Sequence, residues 1–146
     1  MKELFIELFT NPVFISIMGT WLVAGLIKFG IGVLRREGRS FAWQMFRTGG
    51  MPSAHSGTVT ALVVSVYYAQ GLSTLFFVST VFALLIIRDS FGVRLSVGEQ
   101  AMILNKLAQK DHLQEKVNVV LGHTVTQSII GIILGGIIAV LSNILI

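Results

Sequence analysis

The run 57–87 carries no charged residue, and 117–146 carries none if His123 is neutral. A third stretch, 12–34, holds a single charge, Lys28. Runs of that length and apolarity exclude most of what a 146-residue chain can fold into. A soluble domain of this size has too much surface for its volume to hide a composition that is 53% hydrophobic and 12% charged. Typical soluble domains are about 25% charged. An ordinary cytosolic globule, a disordered tail and a coiled coil are excluded, and an integral membrane protein is implied. A spanning helix needs roughly 20 residues. The three runs therefore predict four spans, about 13–34, 54–70, 72–92 and 121–145, the middle run being broken at Gln70-Gly71-Leu72-Ser73. The fold class is all-α, a polytopic helix bundle forming one membrane-embedded domain, 1–146.

Two further helices are expected outside the spans. Leu4, Phe5, Leu8 and Phe9 recur at helical spacing opposite Glu3 and Glu7, which predicts a short interfacial helix ending at Asn11-Pro12. It lacks the basic start, apolar run and cleavage site of a signal peptide. Residues 96–116 read as an amphipathic connector with Ala101, Leu104 and Leu107/Ala108 on one face.

The net charge of +4 reads as flanking charge on spans rather than as a nucleic-acid patch. Arg35, Arg36, Arg39 and Arg47 follow the first span, and Arg94, Lys106, Lys110 and Lys116 follow the third; the opposite side has only Lys2. That asymmetry places both loops in the cytoplasm and both termini outside. The absence of cysteine leaves no disulfide, thiolate nucleophile or thiolate metal ligand.

This topology gathers the reactive residues at one membrane level. Lys28 and Arg35 lie at the cytoplasmic end of span one, Ser53 and His55 at the start of span two. Arg88, Asp89 and Arg94 end span three, and His123 opens span four. Ionisable groups at the edge of a span are costly and usually face a cavity or one another. Spans two and four both begin here, so their unpaired N–H groups point into the cluster. Helix N-termini with Lys and Arg describe an anion site, most naturally for phosphate, and two histidines can serve as nucleophile and general acid. Plainer readings stand beside this one: Lys28 as a snorkelling lysine, the loop arginines as topology signals, Ser53 as a helix cap, and His55 or His123 as an interfacial histidine. His112 reads as a bystander among Lys110, Asp111 and Glu115, and Trp21 and Trp43 as belt aromatics. His55, His123 and Asp89 are of ligand type, but no ligand-spacing motif joins them, and no metal is expected.

The run Gly49-Gly50-Met51-Pro52-Ser53-Ala54-His55-Ser56 resembles the Pro-Ser-x-His motif of the type-2 phosphatidic acid phosphatase and vanadium haloperoxidase superfamily. The chain is most similar to its small divergent bacterial and plastid branch. Three more motifs follow in that branch's order: Asp89-Ser90-Phe91-Gly92-Val93-Arg94, then 98–105 (Gly-Glu-Gln-Ala-Met-Ile-Leu-Asn), then Leu121-Gly122-His123-Thr124. The resemblance covers roughly 20–136. It implies a phosphatase in which Lys28, Arg35, Ser53 and Arg94 hold the phosphate, His55 protonates the leaving group, and His123 attacks phosphorus to form a phosphohistidine. No cofactor is implied.

The pattern is not complete. Val117 stands where the superfamily has an Arg six residues before the nucleophile, and Gln127 where it has an acid four residues after. Arg36, Val125 and Leu95 also depart from it. A neutral amide at Gln127 orients the ring without supplying negative charge, and Asp89 is the candidate to provide the missing carboxylate. The expected function is hydrolysis of a phosphomonoester or pyrophosphate of a lipid at the cytoplasmic leaflet. The alternative is a phosphate- or phospholipid-binding membrane protein that has lost efficient chemistry. A small transporter subunit leaves the His and Arg convergence unexplained, and vanadate-dependent halide oxidation does not suit so short an embedded chain. The expected partners are the bilayer and a lipid phosphate. A homodimer through Gly131/Gly135 or the first-span glycines is a further expectation.

Overall fold

The computed structural model of the chain describes residues 1–46, 49–110, 117, 119 and 122–146. Arg47, His112, Lys116, the end of the expected connector and the expected start of span four at 121 lie outside the described residues. Every regular element among the described residues is a helix: α1 (Lys2–Thr10), α2 (Pro12–Leu34), α3 (Phe41–Phe46), α4 (Ala54–Gln70), α5 (Thr74–Phe91), α6 (Val93–Lys110) and α7 (Val125–Leu145).

The helix ends follow from local chemistry. The Asn11 side chain accepts from the backbone N–H of Val13 and Phe14, with Pro12 in the first turn, where its missing N–H costs nothing. Ser53 and Ser73 cap α4 and α5 in the same way, accepting from the N–H of Ser56 and Phe76. Gly71, at φ +62°, ends α4 in a conformation glycine adopts without a Cβ clash. Thr124 and Gln127 form a reciprocal capping box at the start of α7.

Three helical stretches are long and apolar enough to cross a membrane: Pro12–Leu34, Thr74–Lys110 (which contains α5 and α6) and Val125–Leu145. The sequence led us to expect four. The second expected span is present as α4, but with 17 residues and a serine- and threonine-rich composition it falls short of that standard.

α4 nevertheless lies at the centre of the bundle. It packs against α2, α5 and α7, while α3 lies on α2 and α6 on α5. The buried side chains are small: Ala24, Ala61 and Ala139 are fully enclosed, as are Ser16, Thr20, Ser56 and Ser65. The large apolar side chains face outward, among them Phe82, Leu84, Leu85, Ile133 and Ile137. Lipid tails are as apolar as leucine, so spanning helices gain by close backbone approach rather than by hiding large side chains. A Cβ on Gly131 would strike the Ser53 carbonyl oxygen, and one on Gly135 the Gly57 carbonyl oxygen. Both glycines therefore pack against the start of α4 in the same chain.

The apolar stripe of α6 is only partly covered. Gly98 and Ala101 are buried, but Leu104 and Leu107 are exposed. At its far end the Asn105 amide holds the Val117 backbone at both N–H and C=O, each at 2.8 Å.

A candidate phosphohistidine site

The reactive end of the bundle is tied together by backbone. The Ser53 N–H donates to the Gln127 carbonyl at 3.0 Å, and the His123 N–H donates to the Ser90 carbonyl at 2.9 Å. These bonds bring the starts of α4 and α7 against the end of α5. Gly122 permits a further approach, since a Cβ there would overlap the backbone of Arg94 and Leu95. The segment carrying His123 thus rests on the first turn of α6. Three helix N-termini converge at this point, one more than the two the sequence implied.

His123 lies two residues before α7, not inside a span, and is 2% exposed. Its Nδ1 is 3.1 Å from the Gly50 carbonyl oxygen and 3.3 Å from Gln127 Oε1. Oε1 also accepts the Thr124 N–H at 3.2 Å, which fixes which end of the amide faces the ring. Both neighbours of Nδ1 are acceptors, so the proton sits on Nδ1 and Nε2 keeps its lone pair. Nε2 is buried and has no hydrogen-bond partner among the described residues; the same is true of His55 Nδ1. Burial first, and then the Lys28 ammonium nearby, push the His123 imidazole from 6.5 down to about 4. The His55 and His123 rings stand 5.8 Å apart, edge to face.

The other expected residues divide into those the fold brings to this pair and those it turns elsewhere. Lys28, 6% exposed on α2, is close enough to act electrostatically on both imidazoles, and Arg94 and Asp89 act on His55. Ser53 is fully buried; its hydroxyl accepts from the Ser56 N–H and lies 3.1 Å from the Ser56 hydroxyl. Arg35, the exposed C-cap of α2, joins Lys28, Glu37, Gln44 and Gln127 around a polar cavity of about 150 Å³. That cavity reaches the Gly50 and Gln127 side of His123.

Asp89 stands with Arg94. It pairs with Arg94 Nε at 2.5 Å, both side chains being substantially exposed, while the Nδ1 contacts of His123 are Gly50 and Gln127. The reason is the turn at Gly92, which ends α5 and starts α6 so that Arg94 folds back onto the last turn of α5. Arg94 therefore belongs to α6 rather than to the end of the third span. No three His, Cys, Asp or Glu side chains come together as a metal site among the described residues.

Sequence reasoning missed Ser90 and Gly50, both of which act through backbone carbonyls and so leave no side-chain signal. The one available hint at Gly50 was the glycine pair itself: Gly49 and Gly50 both adopt positive φ, +78° and +79°, which presents a carbonyl to an inward-facing ring.

The chain matches the divergent PAP2 family over residues 9–138. It belongs to that family. Among curated proteins, it is 43% identical over 103 residues to a Bacillus subtilis (strain 168) protein described as the uncharacterized membrane protein YuiD. That alignment takes in 69% of this chain and 64% of the relative, so it spans less than two thirds of the relative's length. No solved structure matches. Family membership agrees with the order of motifs from Gly49 to Thr124 and with the membrane character of the relative.

Proposed function

We propose that this divergent PAP2 protein is a membrane lipid-phosphate phosphatase that works through a phosphohistidine at His123. The observation that carries the proposal is the state of His123: a buried imidazole, protonated at Nδ1, whose Nε2 has no partner among the described residues and whose ring stands 5.8 Å from that of a second histidine. Nε2 attacks phosphorus, the bond from phosphorus to the leaving oxygen breaks, and His55 gives that oxygen its proton. Water then attacks the phosphohistidine, His55 takes a proton from it, and phosphate leaves with His123 neutral again. Lys28 and Arg94, with the helix N-termini, offset the charge on the equatorial oxygens. Arg35 and Ser53 are proposed as additional phosphate contacts. Asp89 takes only one of the five N–H donors of the Arg94 guanidinium.

In this reading α4 crosses the membrane as a fourth span, shielded by its neighbours. The site lies at the cytoplasmic face with both termini outside. The substrate is a phosphomonoester or pyrophosphate on a lipid. Purified protein in detergent releases phosphate from such a lipid, and His123→Ala abolishes release; undiminished turnover in that variant overturns the assignment.

A second reading is favoured by Gln127. With an amide where the superfamily has a carboxylate, the imidazolium of the transition state loses a stabilising charge, and a phosphate-binding protein with little turnover results. Acid-quench trapping separates the two: a phosphatase labels His123 from a phosphate-labelled lipid, and a binder never does.

A further inference from the structure

Hydroxyls along the helices of this bundle are spent on backbone carbonyls. Ser16 donates to the Pro12 carbonyl at 2.6 Å, Thr20 to that of Ser16 at 2.7 Å, Thr60 to that of Ser56 at 2.7 Å and Thr80 to that of Phe76 at 2.8 Å. Each bond reaches back one helical turn, as serine and threonine do inside helices. Thr58 on α4 breaks the pattern. Its Oγ1 is buried and has no hydrogen-bond partner among the described residues, so it forgoes the Ala54 carbonyl one turn back. Leaving a buried hydroxyl unbonded is costly, and valine would fill the same space without that cost. Packing alone does not account for a threonine here.

A second polar atom of α4 shares that state. Nδ1 of His55, three residues earlier, is buried and has no partner among the described residues. Residues i and i+3 of a helix are neighbours with Cβ atoms about 5–6 Å apart, so His55 and Thr58 share one face. Rotation of the Thr58 hydroxyl about χ1, or one water, spans the remaining gap. Catalytic hydrogen bonds that are long in the free protein tighten when substrate binds. The His55 ring is also the one that stands 5.8 Å from that of His123.

We propose that Thr58 is a positioning residue for His55: its hydroxyl holds Nδ1 and leaves Nε2 to exchange the proton with the reacting oxygen. The proposal rests on the phosphatase reading above, in which His55 gives a proton to the leaving group and takes one back from water. His55 therefore alternates between imidazolium and neutral ring. A hydroxyl suits both forms, since it accepts from Nδ1–H of the imidazolium and donates to the bare Nδ1 of the neutral ring. At His123 the partners of Nδ1 are the Gly50 carbonyl and Gln127 Oε1, which only accept. The two rings are thus held in opposite senses, His123 bare at Nε2 for attack and His55 protonated at Nε2 for donation.

The test uses the full chain in detergent micelles with histidine isotope-labelled at its ring nitrogens, the His55 NMR signals being assigned by their loss in His55→Gln. At about pH 8, where an ordinary histidine is neutral, Nε2 of His55 is expected to be protonated and Nδ1 to be bare, with the upfield shift of a nitrogen that accepts a hydrogen bond. Thr58→Val is expected to remove that shift and Thr58→Ser to keep it. An Nδ1 signal that does not move in Thr58→Val, or a proton on Nδ1 in the wild type, overturns the proposal. With phosphatidate as substrate, Thr58→Val is expected to lower kcat about tenfold, the worth of one hydrogen bond to a charged ring. KM is expected to stay unchanged, because the hydroxyl touches the histidine and not the lipid, and Thr58→Ser to restore most of kcat. An equal loss in both variants, or a loss carried by KM, overturns it too. The two readings fail separately: a wild type without turnover removes the phosphatase, and the Nδ1 signal then decides the positioning by itself.

Discussion

At His123, competition between burial and hydrogen bonding decides which nitrogen carries the proton and at what pH. The ring is neutral down to about 4 in the folded protein, whereas an exposed histidine protonates near 6.5. Because the folded value is the lower one, the unfolded chain binds this proton first. The stability that goes with a neutral His123 is complete above pH 6.5 and is lost as pH falls towards 4. The loss amounts to at most about 3 kcal/mol. Thermal unfolding in detergent is expected to show that decline, and His123→Asn to remove most of it. At Gln127 the same logic runs the other way. Gln127→Glu keeps an acceptor for the Thr124 N–H and sets a carboxylate against Nδ1–H, so the His123 pKa is expected to rise by about one unit or more. A pH titration of the ring by NMR checks the shift, and faster phosphate release in the same variant supports the phosphatase reading over the binder. Much of this was legible beforehand, because His55, His123 and Gln127 stand in ordered motifs. The tautomer was not, because it depends on a carbonyl at Gly50 that lies 73 residues away in the chain.

Between elements, the contact of α4 with α7 is the most specific. It is made by glycines whose missing Cβ atoms leave room for carbonyl oxygens of the other helix. A backbone carbonyl cannot swing aside as a side chain can, so Gly131→Ala is expected to cost about 2 kcal/mol and lower the unfolding temperature. Gly136→Ala, with open space around it, is the matched control and is expected to be neutral. Asn105→Ala releases two exposed backbone bonds at Val117, whose groups water can then satisfy, and is expected to cost no more than about 1 kcal/mol. Circular dichroism melts of the three variants check these values. Helix existence was readable from charge-free runs and from caps such as Asn11-Pro12, Ser53 and Ser73, since those signals are local. The Gly131-x₃-Gly135 spacing was readable as a packing face, but its partner was not. The same small surface suits any closely packed helix, and the folded bundle sets α4 against it.

For the molecule as a whole, orientation is the point most open to direct measurement. The chain has no native cysteine, so single substitutions report cleanly. With impermeant maleimide on intact cells, Arg39→Cys and Lys106→Cys are expected to stay unlabelled and Ile146→Cys to label; the reverse pattern moves the site to the outer face. The sequence by itself determined that the chain is helical and membrane-embedded and where most helices begin and end, because these follow from local composition, capping and spacing. Only the tertiary structure decided that α4, the least apolar of the long helices outside α6, sits in the centre. It also decided that Asp89 pairs with Arg94, and that Nε2 of His123 has no partner among the described residues. Those outcomes turn on approaches of a few ångströms between segments far apart in the chain, which packing of small residues sets and no local pattern records.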